Sequence, residues 1–181
     1  MKGLLFQRTK DIYRSFCLML LFIVVSANSF AELESNEYNI KAMFILNFMK
    51  YVEWPSESKT EIFKIGIAGE SGIYNALQTM TSERHENVKI RIEKVNPDSI
   101  QGYQVLIIPR SENRRTEEWS KKFQGKGILI ISEDCKNNNN ASINLININN
   151  KIRFEVNNTQ ARLGGVKISS KLTELAVAVQ P

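Results

Sequence analysis

The chain has 181 residues, of which 24% are charged and 43% hydrophobic, a composition that excludes a wholly disordered chain, a collagen-like repeat and a polytopic membrane protein. Two cysteines exclude a disulfide-dense mini-scaffold. The formal charge of +5 points to a nucleic-acid partner only until the N-terminus is read by itself.

Lys2, Arg8, Lys10 and Arg14 stand against one acid, Asp11, and Phe16 to Val25 then runs without a charge. Ser29-x-Ala31 follows as a small-x-small cleavage pattern. This is the pattern of a secretory signal peptide over residues 1–31, leaving 32–181 as one domain. An apolar run of that length spans about 15 Å as a helix, half of a hydrocarbon core, which favours cleavage over anchoring. Without residues 1–31, Lys plus Arg falls from 24 to 20 and Asp plus Glu from 19 to 18, so the mature charge is +2. Nucleic acid drops out as a partner. Cys17 leaves with the signal, and the remaining Cys135 has no internal partner for a disulfide.

Residues 36–53 read as a helix, with Ile40, Phe44, Phe48 and Val52 on one stripe and Lys41, Asn47 and Lys50 elsewhere. Ser35 or Asn36 caps its start and Trp54-Pro55 ends it. Ile62–Ala68 reads as a strand, followed by a turn and a helix through Met80. Val88–Val95 alternates as a half-buried strand, and Tyr103–Ile108 and Ile128–Ile131 read as buried strands around a helix over Thr116–Phe123. Asp134–Asn140 is a polar loop. Ser142–Ile148 and Lys151–Asn157 form a hairpin turning at Asn149-Asn150, since asparagine tolerates the left-handed backbone of two-residue turns. Asn158-Thr159 caps a short helix ending at Gly164-Gly165. Ser169 or Ser170 caps a last helix through Ala178, with Leu172, Leu175, Ala176 and Val179 at helical spacing. The order of elements predicts one α/β domain with an open, mostly parallel or mixed sheet flanked by helices, plus a C-terminal β-hairpin and helix.

Catalytic patterns are weak. Gly66, Gly69 and Gly72 give GxxGxxG after a strand, not the dinucleotide spacing, and a plain turn explains them. His85 is the only histidine and sits in a charged loop, too little for a Ser-His-Asp triad or a zinc site. Glu117-Glu118 and Glu133-Asp134 read as hydrated acids. Arg153 lies on a strand, either in an ion pair on the wet face or half-buried with an acid. No catalytic residue, metal ligand or cofactor is expected, which favours a binding or regulatory role.

Two blocks carry a family resemblance. Lys41-Ala-Met-Phe-Ile-Leu-Asn47-Phe48-Met-Lys-Tyr-Val-Glu-Trp54-Pro55 resembles the opening helix of the YfiR-like (HmsC-like) periplasmic proteins. Ile152-Arg153-Phe154-Glu-Val-Asn157, followed by Ala161 and Gly165-Val-Lys-Ile-Ser169-Ser170-Lys-Leu172, is similar to the family's closing pattern. The resemblance implies a periplasmic α/β regulator that binds the periplasmic region of an inner-membrane diguanylate cyclase and represses it, lowering cyclic di-GMP and biofilm formation. It also implies an outer-membrane OmpA-like lipoprotein as a sequestering partner, and leaves a homodimer open. Relatives carry disulfides that link activity to redox state; Cys135 alone supplies no intrachain pair. A soluble small-molecule sensor, with Trp54, Phe48 and Arg153 around a pocket, is the alternative. The candidate contact residues are Asn47, Phe48, Trp54 and Pro55 in the first block and Arg153, Phe154, Ser169 and Ser170 in the second. The two blocks are expected to pack together as one folding unit, with Phe48 in the core and Trp54 facing the partner.

Overall fold

Every residue of the strand Val105–Ile108 is buried, although consecutive side chains of a strand point to opposite faces. Such a strand requires cover on both sides. Val105 and Ile107 belong to one apolar core, Leu106 and Ile108 to another. The computed structural model describes residues 35–56, 61–82, 89–96, 100–136 and 139–180. The expected signal peptide, Cys17 and His85 lie outside the described residues. The chain divides into Met1–Glu37 and Tyr38–Pro181, and the α/β fold belongs to the second unit.

In chain order, a helix over 35–48 (α1) passes through a 3-10 turn, Met49–Tyr51, into β1 (Val52–Glu53). Next come β2 (Ile62–Ile67), α2 (Gly72–Ser82), β3 (Lys89–Lys94) and β4 (Val105–Ile108). A 3-10 segment, Arg110–Arg115, leads into α3 (Thr116–Lys122) and β5 (Leu129–Glu133). The hairpin β6 (Ile143–Ile148) and β7 (Lys151–Asn157) precedes α4 (Asn158–Leu163), β8 (Lys167–Ile168), α5 (Ser170–Leu175) and β9 (Ala178–Gln180). Seven strands form one sheet in the order β3-β2-β4-β5-β6-β7-β9, while β1 pairs separately with β8. Neighbours from β3 to β6 run parallel, β7 is antiparallel to β6, and β9 is parallel to β7. The expected mixed, mostly parallel sheet is present.

One face of the sheet is covered by α1 and α2, which bury Ala42, Ile45, Phe48, Ile73 and Leu77 against Ile65, Ile107, Ile131 and Phe154. On the other, α3 lays Trp119 and Phe123 over Leu106, Ile108 and Ile130. Each such large side chain stabilises the fold by about 1.5–3 kcal/mol relative to exposure. The hairpin turns as expected: Asn149 and Asn150 have φ of 51° and 59°, and Ile148 faces Lys151 across the turn.

Four local expectations are corrected. The first helix stops at 48 because Val52 turns extended and pairs with Ile168, so a long-range partner overrides helical spacing. Ser35 and Asn36 lie inside the helix, not at its cap. The cap of α4 is Asn157, one residue earlier than expected, whose side chain accepts from the Gln160 N–H at 2.9 Å. The last helix ends at Leu175: the Val177 N–H donates to the Phe154 carbonyl at 3.0 Å, and β9 then joins β7. Leu175 and Val179, at helical spacing with buried Leu172, are instead exposed.

Candidate functional site

The eight candidate residues do not gather at one place. Phe48 and Phe154 face the core, their rings edge to face at 5.0 Å with Phe44 stacked beside them. That ring trio joins the two recognised blocks. The Val52–Ile168 pairing joins them again, as does the Ser169 N–H, which donates to the Tyr51 carbonyl at 2.9 Å. The single folding unit expected from the sequence is therefore built. Burial places the Phe48 and Phe154 rings out of reach of a surface partner. Ser169 caps α5 by accepting from the Leu172 N–H, and Ser170 is exposed at its first turn. Arg153 is exposed on β7, the wet-face position, while Asn47 and Pro55 are half-buried. Trp54 is half-buried, edge-on to Phe63 at 5.1 Å, and its Nε1–H donates to the Gln104 carbonyl at 3.3 Å.

A different set of polar residues converges where the strand order reverses, between β2 and β4. In open α/β sheets this point, outside the carboxyl ends of the strands, is where a crevice forms. Lys41 of α1 reaches it from above and donates to Glu133 Oε1 at 2.8 Å. Both side chains are almost fully buried, and Asp134 lies 3.8 Å from the same ammonium. Ser71, after β2, donates to Glu133 Oε2 at 3.1 Å while accepting the Ile73 N–H at the start of α2. Asn113 donates to the Glu133 carbonyl at 2.7 Å, and Arg110 pairs with Asp134. Gly69 takes a left-handed φ of 111°, and the Glu112 side chain lies across it; a Cβ there would sit 3.3 Å from Glu112 Cγ. At Gly72 a Cβ would collide with the Tyr38 ring. The glycine series thus serves a turn and a close helix contact, as the plain-turn reading expects.

Chemically, this arrangement is a closed tie. Ser71 and Lys41 both donate to the Glu133 carboxylate, one to each oxygen, and the Ser71 hydroxyl also accepts the Ile73 N–H. Among the described residues, no group of three or more His, Cys, Asp or Glu side chains is placed to hold a metal ion. Cys135 is half-buried and takes part in no disulfide among the described residues.

The profile of the DUF4154 family, described as YfiR/HmsC-like, matches residues 38–177. The chain belongs to that family. A search of the curated proteins found no significant match. The YfiR/HmsC-like family consists of periplasmic signalling regulators that act with a partner protein.

In this YfiR/HmsC-like chain, two members of the switch-point cluster correct the sequence reading. Lys41 shares the buried stripe with Ile45 and Phe48 instead of lying off it, and Glu133 is a buried ion-pair partner instead of a hydrated acid. A signal was present: a lysine one helical turn before Ile45, and an acid closing the buried strand Leu129–Glu133. Their separation of 92 residues hid the pairing.

Proposed function

We propose that this protein is exported by cleavage near Glu32 and binds the periplasmic region of an inner-membrane diguanylate cyclase, holding it inactive. The observation that carries this reading is the family match over 38–177. The structure adds a physical preference for a protein partner over a small ligand. At the switch point Lys41 and Glu133 are joined in a buried ion pair, so a small molecule taking the place of either would have to break it. The alternative pocket of Trp54, Phe48 and Arg153 lacks support for the same kind of reason: Phe48 is in the core, while Arg153 is on the solvent side of β7.

Repression of this kind works by population shift. A regulator that binds inactive cyclase better than active by about 2.7 kcal/mol shifts its equilibrium about a hundredfold, and equal affinity for both states shifts nothing. An OmpA-like lipoprotein that sequesters the regulator would relieve repression by mass action.

Affinity capture from detergent-solubilised inner membranes, with cyclic di-GMP measured in cells with and without the protein, tests the reading. Capture of a cyclase and a rise in cyclic di-GMP on deletion are expected. Unchanged cyclic di-GMP together with no captured cyclase would overturn it. N-terminal sequencing of the periplasmic protein checks export, and an intact Met1 in the membrane fraction would refute it.

A further inference from the structure

The charges beyond the end of β5 form two pairs, one dry and one wet. Lys41 and Glu133 have side chains only 2% and 5% exposed. Asp134 and Arg110, paired beside them, are 20% and 67% exposed. Asp134 also lies 3.8 Å from the Lys41 ammonium, so two cations and two anions share one neighbourhood.

The Glu133 carboxylate is held by one donor at each oxygen. Oε1 accepts from the Lys41 ammonium at 2.8 Å, and Oε2 accepts from the Ser71 hydroxyl at 3.1 Å. Ser71 directly precedes the eleven-residue helix α2, and its Oγ accepts the Ile73 N–H in that helix's first turn. Its hydroxyl proton is therefore turned toward the carboxylate at the positive end of α2. A buried cation from one element and a polarised hydroxyl at a helix start are the donors with which a protein holds a free anion. In open α/β sheets a ligand sits at this place, where the strand order reverses. Here the anion belongs to the chain itself.

We propose that Lys41, Ser71 and the start of α2 form a carboxylate-binding cradle whose resident ligand is the chain's own Glu133, and that the cradle holds a free small monocarboxylate once that side chain is shortened. Glu133→Ala removes a methylene and a carboxylate, which acetate replaces atom for atom. One negative charge restores the balance of Lys41 and Arg110 against Asp134, whereas a dianion exceeds it. The Glu112 side chain, lying across Gly69 before Ser71, adds a further negative charge on that side. The cradle should thus prefer acetate or formate to phosphate. This inference is independent of the cyclase reading, since it concerns what fastens α1 and α2 to β5.

Thermal unfolding of Glu133→Ala, with sodium chloride at matched ionic strength as the reference, tests it. The variant should melt about 10 °C below wild type, as loss of one partner of a buried pair implies. Sodium acetate should then raise its melting temperature with the logarithm of concentration, as linkage to a bound ligand requires. Sodium phosphate should do much less. Wild type should not respond to acetate, because Glu133 occupies the cradle, and neither should Glu133→Gln, whose amide fills the same volume. The Lys41→Met/Glu133→Ala double variant should lose the response, because the cation is gone. If Glu133→Ala is unfolded in chloride, acetate should return it to the folded state, read by circular dichroism. A variant indifferent to acetate, or unfolded at every acetate concentration, would overturn the proposal. So would an equal response of wild type, or a response that survives Lys41→Met.

Discussion

The two faces of the sheet solve the same problem with different means. On the α1 face, helices α1, α2 and α5 and the ring trio of Phe44, Phe48 and Phe154 share one core, and its rim includes a buried charge that is fully paired, Lys41 with Glu133. On the α3 face, a smaller set packs around Trp119, whose Nε1–H is buried without a hydrogen-bond partner among the described residues. Arg115 covers that indole from outside, its guanidinium 4.5 Å from the ring. Apolar burial alone serves the second face, since any large ring of suitable shape fills it. The first face also fixes geometry, because an ion pair in a dry place tolerates one arrangement of its helix. The buried apolar residues of both recognised sequence blocks lie on that first face, which is the physical content of their resemblance to the family.

Breaking the ion pair should have the largest effect. Lys41→Met leaves Glu133 buried with no cation at 2.8 Å and is expected to cost about 3–5 kcal/mol. Lys41→Met/Glu133→Leu should recover most of that loss, because two apolar side chains pack where two charges did. Chemical denaturation of both variants measures it, and equal stabilities would show that the pair is not what holds α1 in place. Phe48→Ala should cost about 3–5 kcal/mol by the same measurement, since the ring is fully buried between Phe44 and Phe154. The proposed repression would then fail through unfolding and not through a lost contact.

The α3 face should be more forgiving. Trp119→Phe removes an N–H that has no partner and part of one ring, with an expected cost of about 1–2 kcal/mol. A larger loss would mean that the indole N–H is engaged after all. Trp54→Ala, at the margin of the first face, should cost about 2 kcal/mol, because the side chain is only half-buried and gives up one hydrogen bond. A variant that folds at that cost while losing cyclase capture would assign Trp54 to the interface; unfolding would assign it to the core.

The smallest expected effect is a pH dependence. Burial, aided by the hydrogen bond to Glu93 and by its charge, pushes the Tyr103 hydroxyl from 10.0 up to about 12. The protonated phenol is thus favoured in the folded state, and its contribution is complete below pH 10 and lost as pH rises through 12. Tyr103→Phe should therefore flatten the fall in melting temperature between pH 10 and 12. An unchanged slope would contradict the coupling.

What was legible in the sequence follows from the range of each signal. The helix at Phe44 and Phe48, the central strands and the Asn149-Asn150 turn are written in neighbouring residues, and the structure has them. Strand β9 was not legible, because three residues carry no alternation and Leu172, Leu175, Ala176 and Val179 happen to fall at helical spacing. β1 and β8 are two residues each and exist only because they meet. The switch-point cluster failed to register for a related reason: a lysine and an acid look hydrated by default, and only the fold brings Lys41 onto Glu133. Trp54 was expected to end the helix, which stops at 48 instead, and its contacts with Phe63 and Gln104 were not legible.

The ring trio and the Val52–Ile168 pairing join the early part of the domain to its late part. Contacts of such large sequence separation make folding slow, since a long loop must close before they form. A chain delivered from its N-terminus through a narrow channel therefore holds Phe44 and Phe48 without their mate until Phe154 has emerged. Until then α1 has a greasy side open to binding elsewhere, and holdase chaperones recognise such surfaces. On the proposed export route, the arrangement that locks the finished domain is thus also a timer, delaying the final collapse until almost the whole chain is on one side of the barrier.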